Sequence, residues 1–439
     1  MVTMMEALVP WLLAAIPLAG AIVALTSWEE PERVKKSSMI GSILSLVSVV
    51  GLAGFLTIPP NGCLSLYILP LAALTSILSH PLGNDHRLSW VMTLVCLGFG
   101  MGALTAHELS GSFFLVMLLI TLVILLYRHH TALWPISWWG VGMLILGLVG
   151  VGISMIADPP ASSIAALVTC AVLLPLVPLH SGYLTTVTRL PGNLPSFVVV
   201  LLPVIGFQRL PQILSTIPED ALVIVRTLAL LGALYAAVKA LAQSRVRLVL
   251  GYGSLSFFSI AWWFAATSGF ATPQGTLLVG AVGLATSGLL IAWQVIRTRY
   301  GDDVDPQAIS GLAAAMPKFA VLLSLLGLAA MGIPPFGVFA GFMGLMLTSS
   351  QASVVGLFLT LAAWLAASWY IMQMVQQLLF GASRPDLRYT DLLNPELVSL
   401  AIVVVVLLAL GLVPSALFAP EQPILEQAAL TRELFSWRN

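Results

Sequence analysis

Long apolar segments alternate with short polar ones along most of the chain. Each apolar segment holds roughly 20 residues, the length that an α-helix needs to cross the hydrocarbon core of a bilayer. The pattern predicts an all-α polytopic membrane protein with about fourteen transmembrane helices. The predicted helices are residues 7–26, 38–57, 64–79, 89–106, 111–127, 135–156, 163–182, 196–213, 221–243, 249–268, 275–296, 315–350, 354–381 and 397–418.

Proline pairs interrupt two of these helices. Pro175 and Pro178 lie in the seventh, and Pro334 and Pro335 lie in the twelfth. Because proline lacks a backbone N–H and clashes with the preceding turn, we expect both helices to be broken. Helices five apart enter the membrane from opposite sides, so matching breaks indicate two inverted five-helix repeats, as in many transporters. The predicted segments are an N-terminal three-helix segment (1–88), the first repeat (89–213), the second repeat (214–381), and the last helix with a C-terminal tail (382–439).

The basic residues between helices alternate along the chain. Loops after even-numbered helices carry no Lys or Arg, which places the basic loops in the cytoplasm and both termini outside a bacterial-type inner membrane. The N-terminal segment has no basic region or convincing cleavage site, so we interpret it as a retained first helix. The basic residues that follow odd-numbered helices are Arg33, Lys35, Lys36, Arg87, Arg128, Arg189, Arg245, Arg247, Arg297, Arg299, Arg384 and Arg388.

Composition narrows the function further. Of 439 residues, 59% are hydrophobic and 8% are charged, whereas soluble domains carry about 25% charged residues. The zero net charge argues against a nucleic-acid partner. The sequence has no Gly-rich phosphate loop, no Cys cluster, no His–carboxylate metal set and no nucleophile beside a base. We therefore predict no catalytic residues, no metal and no cofactor, and we assign any redox chemistry to partner subunits.

A few ionisable residues within or beside the predicted helices are candidates for function. Lys239, in the ninth helix, and His180, beside the first break, are candidate members of an ion path. A structural role remains open for both, because a buried Lys can tie helices together and His180 can cap backbone carbonyls. Arg245 and Arg247 lie in one short loop and either set the topology or dock a peripheral subunit.

Three stretches resemble one family, the antiporter-like membrane subunits of respiratory complex I (NADH:quinone oxidoreductase), of membrane-bound hydrogenases and of multisubunit cation/proton antiporters. "LLPLVPLH" at 173–180 is similar to the family's Lys-x-Pro-x-x-Pro-x-His break. "AQSRVRLVLGYGSLSF" at 242–257 is similar to its Gln-x-Asp-x-Lys-Arg loop and the helix start that follows. "ISGLAAAMPKFAVLLSLLGLAAMGIPPFGVFAGF" at 309–342 is similar to its Gly-Gly-Leu, Met-Pro and Leu-Pro-Pro run. The resemblance implies fourteen helices, inverted repeats and proton translocation.

The sequence departs from this family where the family carries charge. Alignment of the motifs puts Leu115 at the position of the fifth-helix Glu, Leu173 at the position of the break Lys, and Phe342 at the position of the Lys or Glu after the second break. The resemblance therefore implies a charge-depleted, divergent member whose proton path is degenerate or lost.

Three functions remain open at this point. The chain is a membrane-arm subunit of a complex-I-like redox or hydrogenase-type complex, or a membrane partner in a bicarbonate-uptake or cation/proton antiporter complex, or a free-standing transporter. The missing charges favour a subunit that anchors or couples others. The expected partners are other membrane subunits of a hetero-oligomeric complex, peripheral cytoplasmic subunits and the lipid bilayer.

Overall fold

The regular structure is helical throughout the part of the chain that the computed structural model describes, which is residues 2–52, 60–106, 108–128, 137–268, 272–300, 309–348, 352–381 and 390–412. Within it, eleven helices are long and apolar enough to cross a membrane, and four stretches of shorter helix are also apolar. The protein is therefore an all-α, multi-span membrane protein. The helices are α1 (Val2–Thr26), α2 (Pro31–Leu52), α3 (Pro60–Ser79), α4 (Arg87–Thr105), α5 (Glu108–Arg128), α6 (Trp138–Ile156), α7 (Ala161–Leu173), α8 (Ser181–Arg189), α9 (Leu194–Leu214), α10 (Glu219–Leu241), α11 (Val246–Ser268), α12 (Pro273–Tyr300), α13 (Leu312–Ala315), α14 (Pro317–Ala330), α15 (Gly337–Thr348), α16 (Val354–Leu379) and α17 (Asn394–Leu412).

Two of the predicted helices are each replaced by a pair of shorter ones. The segment predicted at 163–182 is α7 and α8, which are separated by residues 174–180 and extend to Arg189. The segment predicted at 315–350 is α14 and α15, which are separated by residues 331–336. Some predicted features lie outside the described residues: 53–57, 135–136, 349–350, the tail after residue 412, Arg384 and Arg388.

Helix starts follow local chemistry. The Ser353 hydroxyl accepts a hydrogen bond from the Gly356 amide at 3.1 Å at the start of α16, which satisfies one of the amides that a helix N-terminus leaves unpaired. Pro31 and Pro317 are the first residues of α2 and α14, a position where the missing N–H costs no helical hydrogen bond.

Helix α12 lies at the centre of the bundle. Its apolar window is buried along its whole length, and it contacts α3, α9, α11, α14, α15 and α17. Small residues allow this close packing. A Cβ on Gly341 of α15 would lie 2.7 Å from the backbone of Leu278, so the two helices approach backbone to backbone there, as small residues permit in membrane bundles.

Contacts between loops bring most of the basic residues to one end of the bundle, here named the basic end. The Lys35 ammonium donates to the carbonyls of Leu78 and His80, and the Arg247 guanidinium donates to the Thr188 carbonyl. These bonds join the first turns of α2 to the end of α3 and the start of α11 to the end of α8. Further contacts at this end are Arg87 to Trp28, Arg299 to Glu396, and Asp391 to the amides of Lys318 and Phe319.

Candidate functional site: two broken helices

The first break frees a carbonyl that a tryptophan then satisfies. In an α-helix the N–H of residue i donates to the carbonyl of residue i−4, so Pro178 cannot serve the carbonyl of Leu174. That carbonyl instead accepts a hydrogen bond of 2.9 Å from the indole Nε1 of Trp262, on α11. The Trp262 side chain is fully buried. An uncharged group from a neighbouring helix therefore satisfies the carbonyl that Pro178 leaves without a donor.

The second break repeats the same arrangement. Pro335 cannot donate to the carbonyl of Met331, four residues earlier, and that carbonyl accepts a hydrogen bond of 2.8 Å from the indole Nε1 of Trp364, on α16. Gly332, at φ +71°, lies beside this bond, and a Cβ there would approach the indole nitrogen to 2.7 Å. A glycine is therefore needed both for the backbone conformation and for the space.

Local bonds satisfy other backbone groups at the two breaks. Pro175 leaves the carbonyl of Ala171 without its helical donor, and the Leu176 amide donates to it at 3.0 Å. In the second break the Ile333 amide donates to the Leu328 carbonyl at 3.2 Å. Since a polar backbone group in hydrocarbon costs several kcal/mol when it is unpaired, these bonds reduce the cost of breaking the two helices.

The positions where the resemblance implies lost charges are apolar and buried. The exposed fraction is 1% for Leu115, 0% for Leu173 and 0% for Phe342. Around the first of the two breaks, a Cβ on Gly206 of α9 would lie 3.0 Å from the Leu173 Cβ. Around the second, the Phe342 ring packs 5.0 Å from the Trp364 ring. These sites are filled by side chains of the protein.

The two candidate members of the ion path lie near each other at the surface of the bundle. The His180 ring centroid lies 5.8 Å from that of Tyr235 and 6.2 Å from that of Tyr252, and the Lys239 ammonium lies 5.8 Å from the Tyr235 ring centroid. His180 is half-buried, but Lys239 is exposed. The expectation that Lys239 is buried was wrong, because its side chain leaves the last turn of α10 at an exposed position.

The two candidate docking residues differ in their surroundings. Arg245 is exposed, whereas Arg247 is half-buried and donates to the Thr188 carbonyl. Arg226, a further basic residue of α10, donates to the Ala266 carbonyl and pairs with Glu219 at 2.9 Å. Arg245 is therefore the more accessible of the two candidates.

Sequence reasoning missed a set of buried ionisable groups at the basic end. Arg299 and Glu396 pair at 2.6 Å with side chains only 9% and 5% exposed. Lys35 is buried, and so is His80, whose two ring nitrogens make no hydrogen bond within the described chain. Burial, with His86 and Lys35 nearby, lowers the pKa of His80 to about 3. The sequence showed only that these residues lie near helix ends. Whether a side chain is buried there depends on tertiary contacts.

A small cavity lined in part by hydroxyl groups, the hydroxyl-lined cavity, was also missed. Ser254, Thr286 and Tyr370 line it, and Ser254 also shares a hydrogen bond of 2.7 Å with the buried Tyr183 hydroxyl. The Tyr370 hydroxyl makes no hydrogen bond within the described residues. The rest of the cavity lining is apolar and uncharged, so the three hydroxyls that line it are the side-chain groups that an ordered water there could bind. Across the described residues, no three His, Cys, Asp or Glu side chains are grouped to hold a metal.

A family model covers the part of the chain that carries both breaks. Residues 110–369 match the family described as NADH:quinone oxidoreductase/Mrp antiporter, TM. The chain belongs to this family. The resemblance inferred from the three sequence stretches is thereby confirmed.

Curated relatives in this family are distant and longer. NADH-quinone oxidoreductase subunit M of Escherichia coli (strain K12) is 26% identical over 269 residues, which are 58% of this chain and 50% of that protein. Subunit M of Rickettsia bellii is 22% identical, with 58% of this chain and 52% of that protein covered. F(420)H(2) dehydrogenase subunit M of Methanosarcina mazei is 26% identical, with 55% and 50% covered. The matched region spans about half the length of these relatives.

Solved structures share the fold over nearly the whole chain. A chain of respiratory complex I from Thermus thermophilus with bound NADH superposes with a TM-score of 0.72 at 20% identity, covering 95% of this chain and 97% of that one. A chain of the Mrp complex from Dietzia sp. DQ12-45-1b gives 0.77 at 17% identity, covering 94% and 95%. The archaeal membrane-bound sulfane sulfur reductase gives 0.78 at 16% identity, covering 92% and 76%. The fold is therefore the antiporter-like fold found in complex I.

Proposed function

We propose that this chain is a membrane subunit of a multisubunit complex of the complex I or Mrp class, and that it anchors or couples partner subunits while its own ion path is closed. The observation that carries the proposal is the capping of both breaks by neutral indole groups. Relatives and structural neighbours named as subunits of NADH-quinone oxidoreductase and as an Mrp complex support the assembly.

The closed path follows from the chemistry at the breaks. Moving an ion through a bilayer requires titratable or hydrated groups along its route. Here the two carbonyls that the prolines free are occupied by Trp262 and Trp364. Leu173 and Phe342 lie beside them as fully buried apolar side chains. Such side chains offer no hydrogen-bond partner to a chain of waters that begins at either face.

The topology that fits this role has fourteen spans. It counts α7 with α8, and α14 with α15, as one broken span each, and it puts the basic end in the cytoplasm by the positive-inside rule. Both termini then lie outside a bacterial-type inner membrane. Residues 89–213 and 214–381 form the two inverted repeats, flanked by the N-terminal segment 1–88 and the last segment 382–439.

The assembly is tested by purification of the tagged chain from its native membrane in mild detergent. We expect it to migrate on a native gel with other membrane subunits and with peripheral subunits. Arg245→Glu, which reverses an exposed charge on the basic end, loosens the peripheral subunits, whereas Lys318→Glu at another exposed position of that end serves as the matched control. A chain that migrates alone and transports ions alone contradicts the proposal.

The closed path is tested in the purified complex by removal of the two titratable candidates. Lys239→Arg keeps the positive charge but does not release a proton at any relevant pH, and His180→Phe keeps an aromatic ring. We expect proton uptake per turnover to be unchanged in both variants. Loss of uptake in either variant, with the complex intact, identifies that residue as a member of a working path.

A further inference from the structure

A group of aromatic and basic side chains lies open at the surface beside the first break. The rings of His180, Tyr235 and Tyr252 lie within 6.4 Å of one another, centroid to centroid, and the Lys239 ammonium lies over the Tyr235 ring. Tyr235 and Lys239 are exposed. Within the described chain, Lys239 has no carboxylate at salt-bridge distance, whereas the exposed Lys36 is paired with Glu32.

The break packs against α10 beside this group of side chains. Val177, within the break, packs against α10 at Gly232, where a Cβ would lie 3.3 Å from the valine side chain. Both α8 and α10 pack against α11, and the rings of His180, Tyr235 and Tyr252 form a triangle with sides of 5.8, 6.2 and 6.4 Å between centroids. These three rings and the Lys239 side chain are the surface site beside the break that is here named the recess.

The surface below Lys239 is apolar. Leu231 and Val238 of α10 are exposed, with 60% and 63% of their surface accessible. Leu231 lies eight residues before Lys239, which is about 12 Å along a helix, close to the half-thickness of about 15 Å of a bilayer's hydrocarbon core. Leu231 and Val238 thus form an exposed apolar stripe that lies about a quarter turn around α10 from Lys239, within reach of its long side chain.

We propose that this recess binds one anionic phospholipid, with its phosphate at Lys239 and an acyl chain along the α10 stripe past Val238 and Leu231. A cation over a tyrosine ring, at the end of an apolar helix face, complements an anionic headgroup above a hydrocarbon chain. Arg245, exposed just beyond the end of α10, adds positive charge on the same side. The tyrosine rings occupy the interfacial depth that Tyr and Trp prefer.

The binding test titrates phosphatidylglycerol or phosphatidylcholine into the delipidated full chain in detergent and measures bound lipid by native mass spectrometry. We expect Lys239→Gln to weaken the binding of the first phosphatidylglycerol molecule about fivefold, which is the effect of one cation at a lipid phosphate. Phosphatidylcholine binding is unchanged. Lys239→Arg restores the affinity, and Lys36→Gln, at an exposed lysine paired with Glu32, leaves it unchanged. Equal affinity of Lys239→Gln and Lys36→Gln for phosphatidylglycerol overturns the proposal.

A second measurement identifies the occupant in the membrane. A photo-crosslinking amino acid replaces Val238, whose side chain is exposed on the stripe, and the chain is illuminated in native membranes. We expect the label on a phospholipid, and we expect Lys239→Gln to shift the labelled lipids away from anionic headgroups. A label on a polypeptide overturns the proposal, because the recess is then a contact with another protein.

Discussion

Side chains donate hydrogen bonds across helices both at the breaks and at the basic end, but the donor groups differ. At the breaks, indole N–H groups of Trp262 and Trp364 donate to carbonyls that prolines have freed. At the basic end, Lys35 and Arg299 donate to carbonyls or to a carboxylate. Among the described residues, the donors at the two breaks are therefore neutral and those at the basic end are charged. The difference indicates that this fold satisfies freed carbonyls with either kind of group.

The largest expected effect comes from placing a charge at the first break. Leu173→Lys puts an ammonium at a fully buried apolar position, and a cation in the middle of a membrane helix costs about 3 kcal/mol on insertion scales. We expect low yield and early thermal unfolding in detergent. Leu173→Met, which conserves volume, is the control. Normal yield combined with new proton flux would mean that the path is dormant and not dismantled.

The next largest effect is expected when the indole that caps the first break is removed. Trp262→Phe leaves the Leu174 carbonyl without its donor, which costs about 2 kcal/mol for a buried unsatisfied group. The neighbouring Trp263→Phe loses the same volume but caps no break, so it is the matched control. We expect a lower unfolding temperature for Trp262→Phe than for Trp263→Phe. Equal unfolding temperatures would show that the hydrogen bond adds nothing.

A pH effect comes from the basic end. Because the folded pKa of His80 lies near 3, below its ordinary value of 6.5, folding favours the neutral imidazole. The contribution of the neutral His80 side chain to the free energy of unfolding is complete above about pH 6.5. It is lost as pH falls toward 3, by up to roughly 1.4 kcal/mol per pH unit. We expect His80→Gln to flatten the fall in unfolding temperature between pH 6.5 and pH 5. Parallel curves for the two proteins would contradict this.

The smallest effect is expected at the second cap. Trp364 is only half-buried, whereas Trp262 is fully buried, so removing the Trp364 indole loses fewer packing contacts along with the hydrogen bond. Trp364→Phe should cost about 1 kcal/mol, less than Trp262→Phe in the same unfolding assay. A larger loss at Trp364 would reverse the ranking of the two breaks.

Much of the fold was readable because a bilayer restricts the possibilities. A helix must be long and apolar, and proline must break it, so most helices and the positions of both breaks follow from Pro178, Pro335 and the apolar runs. Side-chain direction was not readable in the same way. Lys239 lies in an apolar helix and turned out to be exposed, whereas Lys35 lies near a helix end and is buried.

The side chains that cap the two breaks could not be predicted from the sequence either. Trp262 and Trp364 are separated from the carbonyls that they cap by 88 and 33 residues. Nothing local to a tryptophan distinguishes a cap from an interfacial anchor. The hydroxyl-lined cavity depends likewise on how helices α11, α12 and α16 pack, because single Ser, Thr and Tyr residues in apolar helices usually bond to their own backbone.

The most direct test of the closed ion path is proton flux through the purified chain in liposomes. An internal pH-sensitive dye reports proton entry under an imposed potassium diffusion potential, with protein-free vesicles as the baseline. The indole caps and the apolar residues beside them predict flux at that baseline for the wild-type chain and for Lys239→Arg. Flux above the baseline in the wild type that Lys239→Arg or His180→Phe abolishes would contradict the account, because the chain would then hold a working proton path.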